Sequence, residues 1–208
     1  MHAGLQTHCT AFNGARCIAT GHLAEVALKA KTAVDNGEQV LIFDDTTSQS
    51  IEVDFRGSAE EVLLRLAQTD GKETAAVSDA PRGPGRPKLG VVAREITLLP
   101  RHWDWLNAQP GGASVALRKL VEEARRTNEG KDRVRQSQEA AYRFMSVMAG
   151  NQPGFEEATR ALFAAQRERF DQSVQSWPED IRKHARKLAT LALEHAESDD
   201  HASAKAGS

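Results

Sequence analysis

Three cations in a short segment rich in Gly and Pro are the clearest candidates for a binding function in this sequence. Arg82, Arg86 and Lys88 lie in the stretch RGPGRPK, which has no apolar periodicity to fold it. Such a segment stays extended and keeps its charges exposed. Exposed Arg and Lys neutralise phosphates, and a short basic arm suits the minor groove of DNA, whose negative potential attracts Arg. A solvated linker has the same composition, so both interpretations stay open at this point.

The residues that follow this arm indicate one strand and two helices. GVVAREITLL is rich in β-branched residues, and Pro100 suits the first turn of a short helix, where its missing N–H costs nothing. The sequence PGG breaks that helix, and Ser114 is a candidate N-cap for the next one. Residues 91–128 therefore form a predicted strand–helix–helix unit. Its second helix is amphipathic, with an apolar stripe of Leu117, Leu120, Val121 and Ala124.

The stretch REITLLPRHWDWLNAQPGGASVALRKLVEEARR resembles the ribbon-helix-helix motif of small bacterial repressors and antitoxins. The matching features are a strand ending in Leu-Pro, a helix, a Gly-containing break, and Ser ahead of the run ALRKLVEEA. The resemblance implies a homodimer whose two strands pair into a ribbon that enters the major groove. A lone strand also needs a partner for its backbone groups. Candidate DNA contacts are Arg94 and Thr97 to base edges, Gly112 and Ser114 at the start of the second helix, and Arg118 and Lys119 to phosphates.

RGPGRPK is in turn similar to the AT-hook, in which a Gly-Arg-Pro core enters the narrow minor groove of A·T-rich DNA. The core here is Gly85-Arg86-Pro87, and Pro84 stands where the motif usually has Arg. Charge points the same way: the chain has a net charge of −2, yet residues 81–135 carry 12 basic and 6 acidic groups. Residues 1–80 carry 6 basic and 12 acidic groups. The excess of positive charge favours a polyanionic partner, and attraction between these two segments is the alternative.

Over nearly its whole length, including RHWDWLNAQPGGASVALRKLVEEAR and YRFMSVMAGNQPGFEEATRALFA, the chain is similar to a bacterial family catalogued only as a domain of unknown function. That resemblance implies a bacterial cytoplasmic protein and no particular activity.

The first segment, residues 8–68, contains an internal repeat. TGHLAEVALKA at 20–30 resembles RGSAEEVLLRL at 56–66, with an offset of 36 residues, and each copy follows a predicted hairpin. The first hairpin turns at Asn13-Gly14, a type I′ signal, and the second is predicted from the apolar run before Asp45–Gln49 and the alternation after it. Ser58 is a predicted N-cap. This pattern predicts one small sheet with two helices on one face, and hence an α+β fold.

The remaining segments are predicted from composition and periodicity. Residues 69–90 are predicted to be a flexible basic linker, and residues 198–208 a disordered tail. Residues 132–197 are predicted to be helical, because apolar residues recur there every three or four positions and Pro178 separates two of the helices.

Other candidate sites have weaker support. Asp44 and Asp45 could form a Mg²⁺ site or an acid–base pair, but Asp and Thr are normal turn formers. Cys9 and Cys17 are expected to be reduced thiols, and the His spacing indicates no zinc site. Trp103 and Trp105 are interpreted as core rather than as base-stacking residues. Without a catalytic motif, secretion signal or membrane-length apolar run, the sequence predicts a non-enzymatic cytoplasmic protein with no cofactor and no metal.

Two hypotheses from different classes follow. The first is a dimeric DNA-binding protein, a transcriptional regulator whose effector the sequence does not indicate. The second is a protein-interaction or assembly module in which the central unit only dimerises and the basic arm contacts an acidic surface. An enzyme that uses a cleft in the N-terminal segment is a third, less favoured interpretation.

Overall fold

The computed structural model describes residues 4–74, 92 and 94–205. The chain divides into two compact units: unit 1 combines Met1–Val77 with Arg133–Ser208, and unit 2 is Ser78–Asp132. The segments 8–68 and 132–197, which the sequence analysis treated separately, therefore belong to the same unit. A small antiparallel sheet combined with several helices makes the fold α+β, as predicted.

Unit 1 contains a three-stranded antiparallel sheet with the strand order β2-β1-β3. The strands are β1 (His8–Asn13), β2 (Arg16–His22) and β3 (Val40–Asp44). The predicted first hairpin is present, but its two turn residues are Gly14 and Ala15, because Asn13 still pairs with Arg16. Gly14 has a φ of 55°, a conformation that glycine adopts without steric cost. The turn therefore lies one residue later than the Asn-Gly signal indicated.

Side-chain alternation along the central strand β1 divides the interior of unit 1 into two cores. Cys9 and Ala11 pack with Ile42 and helix residues in one core, and Phe12 and Phe43 pack in the other. Successive side chains of a strand point to opposite faces, so a central strand that is buried throughout must be covered on both sides. As predicted, both helices of the repeat pack on one face of the sheet, in the core that contains Cys9 and Ala11. The opposite face, with Phe12 and Phe43, is covered by helices from the C-terminal part of the chain.

The two predicted repeat helices are α1 (Leu23–Asp35) and α2 (Ala59–Thr74). The predicted cap of α2 is confirmed: the Glu61 N–H donates to Ser58 Oγ at 3.3 Å, and the Ser58 N–H donates to Glu61 Oε2 at 2.7 Å. This reciprocal pair is a capping box, which satisfies backbone donors at the helix start. Helix α2 continues to Thr74, so the first residues of the predicted linker 69–90 are helical.

The second predicted hairpin forms only in part. β3 is present, but residues 51–56 form no strand, and the return segment is held by one bridge between Phe43 and Ser50 and by the Ile51 N–H donating to the Ile42 carbonyl. The alternating residues Ile51, Val53 and Phe55 still pack against the first core. Hydrophobic alternation therefore set the direction of these side chains, while the lack of further backbone pairing prevented a fourth strand.

Four helices complete the second core of unit 1: the end of α4 (Gly112–Met148), α5 (Phe155–Phe163), α6 (Arg167–Ser173) and α7 (Glu179–Lys205). The apolar periodicity of GFEEATRALFAAQRERFDQSVQSW predicts one helix, whereas Ala165, with a φ of 53°, separates α5 from α6.

Gly154 precedes α5 with a φ of 81°, and a Cβ there would lie 2.5 Å from the Ser173 carbonyl oxygen. The close approach of these two backbone segments thus requires glycine. Helix α7 begins after Pro178, as predicted, and continues to Lys205, where a disordered tail was expected from residue 198. Ala202, Ala204 and Lys205 are good helix formers, and adding a residue to an existing helix is easier than starting a new one.

Unit 2 contains α3 (Pro100–Asn107) and the start of α4. Pro100 lies in the first turn of α3, as predicted. The predicted strand is not formed: Val92 and residues 94–99 have no strand pairing. A strand needs a neighbour to satisfy its backbone groups, and no described segment of this chain supplies one.

Helix α4 is longer than predicted. It was expected to end near residue 128, with a separate helix from residue 132, but it is continuous over 37 residues and about 55 Å long. Gly130 lies within it and only weakens it, because its neighbours are good helix formers. Ser114 is not the N-cap, since the helix already begins at Gly112.

Candidate functional site

The residues of the predicted DNA-binding surface are only partly brought together. Arg82, Arg86 and Lys88 lie outside the described residues. Arg94 and Thr97 are exposed, but they precede α3 in a segment without strand structure. The ribbon geometry that would place both side chains against base edges is therefore absent from the single chain.

The start of α4 carries the four remaining predicted contact residues. Gly112 opens the helix with a φ of 76°. Ser114 is exposed and lies in the first turn, where its hydroxyl and its carbonyl both accept hydrogen bonds from the Arg118 guanidinium, at 3.3 and 3.1 Å. Lys119 is exposed beside Arg118. Two cations and the free N–H groups of a helix start thus lie within two turns, an arrangement that suits anionic groups.

The predicted apolar stripe of α4 is present but largely uncovered. We call Leu117, Leu120, Val121 and Ala124 the α4 stripe. Leu117 is half-buried, Ala124 is exposed, and the exposed fractions of Leu120 and Val121 are 44% and 63%. Among the described residues of unit 2, only Leu106 and Ala116 are buried apolar side chains. Apolar residues at helical spacing with nothing packed on them are typical of a protein–protein contact surface.

The neighbouring helix α3 shows the same lack of cover. Trp103 is half-buried, and Trp105 is 53% exposed. The interpretation of both tryptophans as core residues is therefore wrong for Trp105, because unit 2 has too few packed elements to enclose a side chain of that size.

The Asp44–Asp45 pair shows both a turn and a role that the sequence analysis missed. Asp44 Oδ1 accepts hydrogen bonds from the Thr46 and Thr47 N–H groups at 2.9 and 2.7 Å, which is the expected turn chemistry. Asp45 points elsewhere and accepts from Lys187 of α7 at 2.7 Å. Asp45 is therefore not a solvated turn residue, because its side chain is only 9% exposed.

Lys187 belongs to a polar face of α7 that lines a cleft against the β1–β2 hairpin. The sequence signal for this face is the spacing i, i+3, i+4, i+7, which places four residues on one side of a helix. Charged residues at that spacing are normally interpreted as a solvated face, and nothing in the sequence indicates that the hairpin covers it. The four residues are Asp180, Lys183, His184 and Lys187.

Both cysteines are free thiols. Cys9 pairs with Gly21 and Cys17 with Phe12, so the two are not opposite each other in the hairpin. Burial, together with the charges of Asp45 and Asp44, raises the pKa of the Cys9 thiol to about 12, which makes this thiol unreactive at neutral pH. In the part of the chain that the structure describes, no three His, Cys, Asp or Glu side chains form a metal-binding group.

Among the described helices, none combines the length and the apolarity needed to cross a bilayer. No curated protein and no solved structure matches the chain significantly. A family model described as "Uncharacterized protein conserved in bacteria" (DUF2239) matches residues 8–189, which is most of the chain. The chain therefore belongs to this bacterial family.

Proposed function

We propose that the protein is a cytoplasmic DNA-binding regulator that acts as a homodimer through its central unit. The observation that carries the proposal is the uncovered α4 stripe with the cations Arg118 and Lys119 beside it. An isolated stretch of helix is marginally stable in water, and most helices in proteins are stabilised by packing of an apolar face. Among the described residues the α4 stripe has little such packing, so a partner is expected to supply it.

A second copy of this chain fits the stripe. If two α4 helices pair antiparallel about a twofold axis between Leu120 and Val121, Leu117 of one copy lies opposite Ala124 of the other. The same pairing places the cations at 118 and 119 opposite the carboxylates at 123 and 122. Apolar residues then meet apolar residues and charges meet opposite charges, as an isologous interface requires.

DNA binding is supported by the cations that surround this interface. The segment 81–135 has 12 basic and 6 acidic groups, and a dimer presents two such segments. Arg94 is exposed, and it has no ion-pair partner among the described residues. Arg82, Arg86 and Lys88 precede it in the Gly- and Pro-rich part of the sequence. Two basic arms and two helix starts supply the phosphate contacts on which the affinity of a DNA-binding protein depends.

The second candidate is an assembly module that dimerises without binding DNA. It is favoured by one observation: the antiparallel pairing would occupy Arg118 and Lys119 with Glu122 and Glu123 of the other copy. The charge left for phosphates then comes mainly from the arm and from Arg94.

Leu120→Glu tests the dimer. We expect the wild-type chain to sediment as a dimer, and the variant, which buries like charges at the axis, to be monomeric. Leu191→Glu is the matched control, since Leu191 is 52% exposed on α7 in unit 1. Monomeric wild-type protein at micromolar concentration, or dissociation of the control as well, would refute the interface.

A salt titration with A·T-rich and G·C-rich duplexes separates the two candidates. If both arms of the dimer contact phosphates, replacing Arg82, Arg86 and Lys88 with Ala removes six cations per dimer. The affinity falls, and the slope of log K against log salt is reduced by about five. The control replaces three arginines of unit 1, Arg160, Arg167 and Arg169, and leaves the slope unchanged. A stable dimer that does not bind either duplex at low salt establishes the assembly module instead.

A further inference from the structure

A cleft in unit 1 has the features of a small-molecule site that is separate from the central unit. It lies between the β1–β2 hairpin and α7 and has a volume of about 210 Å³. Pockets for drug-sized ligands begin at roughly 300 Å³, so an occupant here has to be smaller. The cleft lies within unit 1, so binding there requires neither dimerisation nor DNA. Its lining consists of Thr10, Phe12, Cys17, Thr20, Asp180, Lys183, His184 and Lys187.

One polar atom at the cleft lacks a partner. His184 is 7% exposed, and its Nε2 has no hydrogen-bond partner among the described residues. Its ring lies against Phe144 and Phe12, with centroids 4.5 and 5.4 Å away. Buried polar atoms without a partner are rare and costly, and their presence in the wall of a cleft is typical of a site that a bound group completes.

Two lysines on the α7 side of the cleft donate hydrogen bonds. Lys187 gives one hydrogen bond to Asp45, which leaves two of its three N–H groups for other acceptors. Lys183 is one turn away and pairs with Glu179 at 2.5 Å; both side chains are 66% exposed. Exposed pairs of this kind are worth little, so a ligand anion can replace Glu179 at small cost.

The sheet side of the cleft accepts hydrogen bonds. Which hydroxyl donates and which accepts there follows from the charge state of Asp45. Burial alone would raise the pKa of Asp45, but hydrogen bonds from Lys187, Thr10 and His8 lower it below its ordinary value, so the carboxylate is ionised and only accepts. Thr10 therefore donates its single hydroxyl proton to Asp45, at 2.6 Å. Thr20, 3.3 Å from Thr10, has to donate in turn, and only its lone pairs remain for the cleft.

We propose that this cleft binds a small carboxylic acid that also carries a hydrogen-bond donor, such as a hydroxy acid or an amino acid. The carboxylate lies between Lys183 and Lys187, the donor faces Thr20 and Asp180, and the carbon skeleton covers Phe12. Neutral apolar molecules do not satisfy the lysines, and simple acids make no hydrogen bond to Thr20 or Asp180.

Cys17 provides a built-in reporter of occupancy. It lines the cleft and is half-buried, whereas Cys9 is buried and unreactive. The rate at which N-ethylmaleimide modifies the full-length protein, with the site verified by mass spectrometry, therefore reports access to Cys17. We expect lactate and alanine to slow this reaction in a saturable way. Propionate, which has the same carbon skeleton and no donor, should need a five- to tenfold higher concentration, about the effect of one hydrogen bond.

Two variants and a second measurement complete the test. Lys183→Gln should raise the half-saturating concentration of lactate about two- to fivefold, in keeping with an exposed charge, while Lys29→Gln on α1 leaves it unchanged. Chemical-shift changes on lactate titration should map to the cleft in an NMR spectrum. Equal protection by propionate and lactate, protection that survives unchanged in Lys183→Gln, or no protection by any of the three acids would overturn the proposal.

Discussion

Unit 1 buries its apolar residues in two cores, whereas unit 2 leaves most of its apolar residues exposed. In unit 1 the central strand is covered on both faces, and the larger of its two cores contains five fully buried Phe or Leu side chains, Phe12, Phe43, Phe144, Phe170 and Leu162. In unit 2 the apolar residues of α3 and α4 remain mostly exposed. Unit 1 therefore obtains its stability within the chain, whereas the described residues of unit 2 leave apolar surface that the proposed homodimer would cover.

Helix α4 shows the contrast within one element. Ala140, Ala141 and Phe144 are buried in unit 1, while Leu120, Val121 and Ala124 have the same spacing and are exposed in unit 2. An amphipathic pattern thus defines which face of a helix is apolar, but not whether anything covers that face.

The largest expected effect is at the centre of the unit 1 core. Phe144 is fully buried and contacts the rings of Phe12, Phe43 and His184. We expect Phe144→Ala to lower the free energy of unfolding of unit 1 by about 3–5 kcal/mol, measured by denaturant titration. Leu120→Ala is the counterpart in unit 2 and should change the stability of the monomer by less than about 0.5 kcal/mol. Similar losses at both positions would remove the contrast between the units.

The next effect is a pH dependence confined to unit 1. Burial lowers the pKa of His184 from 6.5 to about 4. The charge of Asp45 raises this pKa by a smaller amount, and the charge of Lys187 lowers it. Because the unfolded chain takes up the proton first, the free energy of unfolding should fall as the pH drops from 6.5 to 4, by up to about 3 kcal/mol. The pKa of Asp45 is also lowered, so protonation of this carboxylate should further reduce the free energy of unfolding once the pH falls below its ordinary pKa of 3.8.

His184→Leu should flatten this dependence between pH 6.5 and 4 in denaturant titrations. His102→Leu, at an exposed position of α3, is the control and should preserve it. A slope that is unchanged in His184→Leu would mean that another group accounts for the acid sensitivity.

The smallest expected change in stability concerns two serines that the sequence predicts to be helix N-caps. Ser58 and Ser114 were both predicted N-caps, but only Ser58 accepts the Glu61 N–H at a helix start. Ser58→Ala should cost about 1 kcal/mol of stability, while Ser114→Ala should be nearly neutral. Thermal unfolding of the two variants measures this difference, and an equal loss in both would show that Ser114 has a capping role after all.

Local features were the ones that the sequence predicted well. The first hairpin, the capping box at Ser58, Pro100 in the first turn of α3 and the start of α7 after Pro178 all depend on residues a few positions apart. The strand predicted in GVVAREITLL is not formed by the described residues of the single chain, because a strand depends on a neighbour elsewhere. The helix end predicted near residue 128 was wrong, because a single Gly is too weak to stop a long helix.

The DNA-contact residues stay a prediction, because their geometry depends on a second copy and on an arm outside the described residues. The cleft could not have been predicted at all. Its two sides meet through contacts such as Lys187 to Asp45 and the Cys17 N–H to Asp180 Oδ2, which join residues far apart in the chain.

The sequence by itself determined the spacing of apolar residues, the caps, the turns and the separation of charge between segments, because these depend on backbone and side-chain preferences within about one helical turn or one hairpin. Only the tertiary structure decided which apolar faces are covered and which polar residues become buried. Burial requires another segment to pack against a surface, and the free energy of that packing depends on partners that no local pattern specifies.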